Sequence, residues 1–133
     1  AVVRCAECAG AHGVIIPKRR AAGLTPAAAK SSAGALEHMA VAKVVNISAA
    51  IEELQAAGVW VYAAEADGEE LYGVDMNRPA AFVFGSEGRG VSRLVCEKSD
   101  YKVSIPMYGK VNSMNVSTAA AVVLTEAARQ KHS

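Results

Sequence analysis

The sequence predicts an α/β protein built on a parallel sheet with helices on both faces. Three observations point there: apolar runs that are continuous rather than strictly alternating, helical stretches between them, and a composition of 52% hydrophobic residues with only 5% aromatics and abundant alanine. Strands buried on both faces read as such continuous runs. Strand-helix-strand order brings parallel pairing through right-handed crossovers. Alanine suits helices that approach a sheet closely. At 133 residues the chain has the size of one domain, able to bury roughly two-thirds of the surface its unfolded form exposes.

The elements follow in order. Ala1-Val2-Val3 begins without a methionine, a cap or a polar lead-in, already on the helical pattern of AVVRCAECAG, so a piece of a longer protein is expected. Gly10 and Gly13 interrupt the chain before VIIP, Val14 to Pro17, the first strand. Thr25-Pro26 opens a helix over AAAKSSAGALEH, with Thr as N-cap and Pro at the first helical position. VAKVVNI is the second strand; Ser48 is the expected cap of AAIEELQAA, and Gly58 marks its end. VWVYAA and AAFVFG are the third and fourth strands, Val91 to Lys98 a short helix, YKVSIPM the fifth strand, and Val116 to Gln130 a long closing helix. No internal repeat or linker divides the chain.

Charge and cysteine usage exclude several classes of function. Fourteen basic against thirteen acidic residues leave a net charge of +1, so no global field favours nucleic acid; the local run PKRR, Pro17 to Arg20, reads as a solvated loop or a small basic patch. No apolar stretch reaches the ~20 residues of a membrane span and no signal-peptide pattern opens the sequence, so a cytoplasmic protein is expected. Cys5 and Cys8 have C-x-x-C spacing, and with His12 and Cys96 could be imagined around zinc. The pair sits in a helical pattern rather than after a strand, and no second tight pair exists. Unpaired thiols, without metal, are the expectation, and a thiol oxidoreductase is a distant alternative.

In open parallel sheets, ligands bind beyond the carboxyl ends of the strands. That rule singles out Ala64 to Gly68, Gly85 to Gly90 and Pro106 to Asn115. GSEGRG is neither the dinucleotide fingerprint nor a P-loop, and the carboxylate of Glu87 at its centre repels phosphate. Its glycines bring backbone close to a ligand, or only make a tight turn. IPMYGKVNSMNVSTAAAVVL then ends a strand at Pro106, which cannot donate to a ladder, and sets Ser113, Asn115 and Ser117 at the mouth of an apolar helix. One of them serves as a cap; three beside a glycine-rich loop suggest more.

These two stretches, read together as FVFGSEGRGVSRLVCEKSDYKVSIPMYGKVNSMNVSTAAAVVLTEAARQ, resemble the second and third motifs of the SpoU/TrmH branch of the SPOUT methyltransferases. AHGVIIPKRRAAGLTPAAAKSSAGALEHMAVAKVVN is similar to the branch that methylates a guanosine 2′-hydroxyl in bacterial 23S ribosomal RNA, and the likeness runs from Ala1 to about Lys131. The resemblance implies an S-adenosylmethionine-dependent RNA ribose 2′-O-methyltransferase, with a carboxyl-terminal trefoil knot and homodimers formed through the knot helices. It implies a cofactor pocket lined by Gly85, Ser86, Gly88, Ile105, Met107, Ser113, Met114 and Asn115, with Ala64 and Glu65 at its edge.

For chemistry the resemblance points to Arg4, Glu87, Asn115 and Ser117. A ribose hydroxyl is a very weak acid, so in-line transfer from a sulfonium depends on positioning and on help in removing the proton, without a metal. Arg4, whose guanidinium keeps its proton, suits clamping an RNA phosphate. The family's first motif normally starts with an Asn-x-Gly segment before Arg4, and a separate amino-terminal RNA-recognition domain is common. Residues 1–133 are therefore expected to be the catalytic domain, amino-terminally truncated and without that recognition domain. Met114 stands where leucine is usual. Methylation of transfer RNA by the same chemistry, or a non-catalytic RNA-binding or ribosome-assembly module, are the alternatives.

Overall fold

The computed structural model describes residues 13–17, 40–44, 46–85, 91–108 and 116–132. β1 (Gly13–Pro17) and β2 (Ala40–Val44) pair in parallel, Gly13 opposite Ala40 and Pro17 opposite Val44. β3 (Trp60–Glu70), β4 (Ala80–Val83) and β5 (Tyr101–Ser104) form a second parallel set with β3 in the centre. Among the described residues every strand pairing is parallel, as the apolar runs predict. The helix expected after Thr25-Pro26 and the opening helical pattern lie outside the described residues.

Period-two alternation along β3 sends its side chains to two different cores. Val61 and Ala63 face a cluster with Ile51, Val91 and Val95, contributed by α1 (Ile47–Ala56), Val91 and α2 (Arg93–Lys98). Tyr62 faces the opposite cluster with Leu71, Val74, Met76, Val103, Val123 and Ala127, so the 71–76 segment and α3 (Val116–Lys131) cover the other face. Val61, Tyr62 and Ala63 are buried on both faces, which is why this part of β3 reads as a continuous apolar run.

Local details depart from the sequence reading in instructive ways. Asn46, not Ser48, caps α1: its Oδ1 accepts from the Ser48 amide at 2.9 Å and the Ala49 amide at 3.4 Å, and Ser48 is buried in the first turn. An Asn two residues earlier in extended conformation has the geometry that a residue already in the helix lacks. Ser92 caps α2 by accepting from the Val95 amide, so that helix begins at Arg93 rather than Val91. Gly58 does terminate α1. At φ 88° it allows the Val59 amide to reach the Leu54 carbonyl and its own amide to reach that of Gln55, a Schellman ending. β4 and β5 stop at Val83 and Ser104, before Phe84-Gly85 and Ile105-Pro106-Met107.

The amino edge of the central sheet is tightly tied. The Asp100 amide donates to the Val61 carbonyl at 2.8 Å, and Asp100 Oδ2 accepts from the Val61 amide at 2.8 Å and from Gln55 Nε2 at 3.3 Å. Trp60 stacks on Tyr101, and Tyr101 and Phe82 stack on Tyr62, with centroids between 5.3 and 5.9 Å. The Arg78 guanidinium lies 4.5 Å from the Trp60 ring centroid and donates to the Tyr62 hydroxyl at 2.8 Å. Burial pushes the Tyr62 phenol up, against the pull of Arg78, and its hydroxyl donates to the Asp75 carbonyl.

Candidate functional site

Register gathers the carboxyl edge of the sheet. Ala63 lies opposite Val83 of β4 and Ala64 opposite Val103 of β5, so Gly85 and Ile105, each two residues beyond its partner strand's pairing, leave the same edge as Ala64 and Glu65. Ala64, Glu65, Gly85 and Ile105 are half-buried, and Met107 is exposed beside Tyr108. Ile105 and Phe84 pack against the Tyr62 cluster, which anchors the edge from below. Backbone at 84–85 and 105–107 lies outside the strand ladders, and Pro106 has no amide to donate.

β3 does not end at Ala64. It continues to Glu70 through an irregularity in which both Ala64 and Glu69 face Val103, so the segment expected as a loop is a bulge pressed against β5. Gly68 makes this possible: a Cβ there would lie 2.6 Å from the backbone carbon of Lys102 and the nitrogen of Val103. The bulge is held by Ser104 Oγ donating to the Gly68 carbonyl at 2.9 Å and by Lys102 Nζ on Asp67 Oδ2 at 2.8 Å. Lys102 draws the Asp67 carboxyl below its usual range. The sequence places Gly68 at the end of a loop, whereas in the structure it lies inside β3.

Glu65 turns toward the start of α2. Its Oε1 accepts from the Val91 amide at 2.6 Å and lies 3.7 Å from Cys96 Sγ. Burial first, then the Glu65 carboxylate, pushes the Cys96 thiol up, so the sulfur keeps its proton. Arg4, Ser86, Glu87, Gly88, Ser113, Met114 and Asn115 lie outside the described residues, as do Cys5, Cys8 and His12; Ser117 falls in the first turn of α3 with its side chain likewise outside them. Among the described residues no cluster of His, Cys, Asp and Glu could hold a metal ion, and no helix is long and apolar enough to cross a membrane.

The SpoU rRNA methylase family profile matches residues 1–125. The chain belongs to that family. Among its SpoU relatives, a Bacillus subtilis (strain 168) protein named as a TrmH-family tRNA/rRNA methyltransferase, YacO, is 46% identical over 132 residues, covering 98% of this chain and 53% of its own length. The SpoU methyltransferase AviRb from Streptomyces viridochromogenes, solved with its cofactor AdoMet, superposes with a TM-score of 0.87 at 31% identity over 98% of this chain and 54% of that one. The A. aeolicus TrmH/SpoU tRNA modifying enzyme gives 0.87 at 28% identity, covering 98% of this chain and 67% of its own. The α/β fold expected from the sequence is thus that of the SpoU methyltransferases. The chain spans about half the length of the curated relatives it matches.

Proposed function

We propose that this chain is the catalytic domain of an S-adenosylmethionine-dependent RNA ribose 2′-O-methyltransferase, acting on a guanosine of 23S rRNA. The carrying observation is the carboxyl edge. There β3 enters its bulge at Ala64, and the small or apolar residues Gly85 and Ile105 follow the ends of the parallel strands β4 and β5, in a chain whose relative AviRb holds AdoMet. Such an edge suits a flat adenine. The Ile105 side chain and Ala64 supply apolar contact, and free backbone at 84–85 and 105–107 supplies donors and acceptors for its polar rim. Gly85 leaves room for backbone to approach a ring, and Ser86, Gly88, Ser113, Met114 and Asn115 are the other residues proposed for the pocket.

When bound, the cofactor supplies an electrophilic methyl on a sulfonium. The protein's part is to bring a ribose hydroxyl into line with it and to ease loss of the proton. Arg4 holds an RNA phosphate and stabilises developing oxyanion charge, while Glu87, Asn115 and Ser117 orient the ribose. The carboxyl-terminal path from β4 to α3 forms the trefoil knot, and α3, rich in alanine, pairs with a second copy. Transfer RNA is the second reading, since YacO is named for both RNAs and the A. aeolicus enzyme for tRNA.

The test is transfer of labelled methyl from S-adenosylmethionine to 23S rRNA and to tRNA. The modified position is mapped by resistance to alkaline cleavage, because a 2′-O-methyl removes the nucleophile that attacks the neighbouring phosphate. Label at an alkali-resistant guanosine of rRNA supports the proposal. Label in tRNA moves it to the second reading, and methylation on a base, or none by the intact protein, overturns it.

A further inference from the structure

We propose that Glu65 is a positioning residue that fixes the end of the glycine-rich connection from β4 to α2, rather than a ligand of the cofactor. The inference rests on the methyltransferase reading and deepens it. Residues 85–91 join the end of β4 to the cap of α2, and their sequence, GSEGRGV, contains three glycines with no side chain to anchor them. Gly85 follows Val83, which is held opposite Ala63 in the ladder. At the other end the Val91 amide donates to Glu65 Oε1 at 2.6 Å, across 26 residues of sequence. Both ends are therefore referred to β3, at residues two apart.

The anchor is built firmly. A carboxylate accepting from an amide makes a charge-assisted bond, shorter and stronger than a neutral one. Val91 is itself buried among Ile51, Val61, Ala63 and Val95, so side chain and amide are held by different groups. Cys96, protonated and 3.7 Å away, directs its sulfur at the same oxygen. An Oε1 turned to the cofactor would abandon the Val91 amide in a part-buried place, which is costly. The bulge after Ala64 explains why Glu65 reaches α2 at all: there β3 leaves its first register with β5.

The experiment compares Glu65→Ala and Glu65→Gln with the unmutated intact protein by S-adenosylmethionine titration, hydrogen exchange at the Val91 amide, and titration with 2′- and 3′-deoxyadenosyl analogues of the demethylated product. Glu65→Ala is expected to speed exchange at Val91 and weaken cofactor binding by roughly tenfold, while Glu65→Gln, which keeps a carbonyl acceptor, stays within about threefold. The penalty for a deoxy analogue should be the same in Glu65→Ala as in the unmutated protein, since a positioning residue touches neither hydroxyl. If the penalty disappears in Glu65→Ala, Glu65 is a direct ligand and the inference falls. Unchanged affinity in Glu65→Ala, with or without a loss of thermal stability, also overturns it. Should Glu65→Ala not fold, Glu65→Asp, one methylene shorter, carries the same comparison. Failure of the unmutated protein to bind the cofactor overturns the methyltransferase reading instead, and exchange at Val91 still decides the anchor.

Discussion

At the amino edge of the β4-β3-β5 sheet, Trp60, Tyr62 and Tyr101 stack under Arg78 and Asp100 ties two backbones together; at the carboxyl edge β3 bulges after Ala64, and Gly85 and Ile105 follow the ends of β4 and β5. Large side chains cover one edge, with the Tyr62 hydroxyl and the Asp100 carboxylate hydrogen-bonded. Small ones and free backbone leave the other accessible. Parallel strands make this separation natural, because all their amino ends lie together and all their carboxyl ends lie together. The stacked rings and the Asp100 bonds thus lie at the edge opposite the one proposed for the cofactor.

Substitutions that break the comparison should do so in order of burial. Tyr62→Ala removes a side chain with no exposed surface, two ring contacts and the acceptor of Arg78. It should cost about 4 kcal/mol in urea unfolding, if it folds at all. Gly68→Ala places a Cβ 2.6 Å from β5 backbone, and the backbone cannot yield as a side chain tip would. A loss of about 2–3 kcal/mol by the same measurement is expected. Asp100→Ala leaves the Val61 amide without its carboxylate acceptor and removes the longer of two Gln55 bonds, the one to the Lys98 carbonyl at 2.7 Å remaining, for about 1–2 kcal/mol, with cofactor affinity unchanged. A change in affinity there would mean the two edges are not independent.

The smallest effect is electrostatic. Glu126 on α3 is buried and accepts from Arg129 at 2.7 Å and from Gln130, which also donates to the Val74 carbonyl and accepts from the Met76 amide. Hydrogen bonds from Arg129, then Gln130, lower its pKa from 4.5 to about 2. A folded value below the unfolded one means the stabilisation is present above about pH 4.5 and is lost as pH falls toward 2. Glu126→Gln should cost on the order of 1 kcal/mol at pH 7, Arg129 being solvent-exposed and screened. That difference should shrink steadily in unfolding curves taken from pH 5 down to pH 2.5.

The parallel α/β architecture was legible because it depends on patterns: continuous apolar runs, Gly58 after a helix, an alanine-rich closing segment. What escaped the sequence depends on contacts between distant residues. Arg78 reads as a loop cation until Trp60 and Tyr101 are brought beneath it. Gly68 reads as a loop glycine until β5 passes within van der Waals reach. Asn46 and Ser48 are both plausible caps, and only the backbone angle of Asn46 decides between them. For the site, the sequence named Ala64, Glu65, Gly85, Ile105 and Met107 among the described residues, and the register pairs Ala64 with Val103 and its neighbour Ala63 with Val83, two residues before Ile105 and Gly85. The direction of the Glu65 carboxylate, toward Val91, was not readable from any local pattern.

The division between the edges is tested most directly by calorimetric titration of S-adenosylmethionine into the unmutated protein and Gly85→Leu, with urea unfolding of both. The account predicts saturable binding at one site per chain, its loss in Gly85→Leu, and unfolding free energies that agree within about 1 kcal/mol. Binding that survives a leucine at residue 85 would contradict it, as would a Gly85→Leu protein that loses the fold together with the ligand.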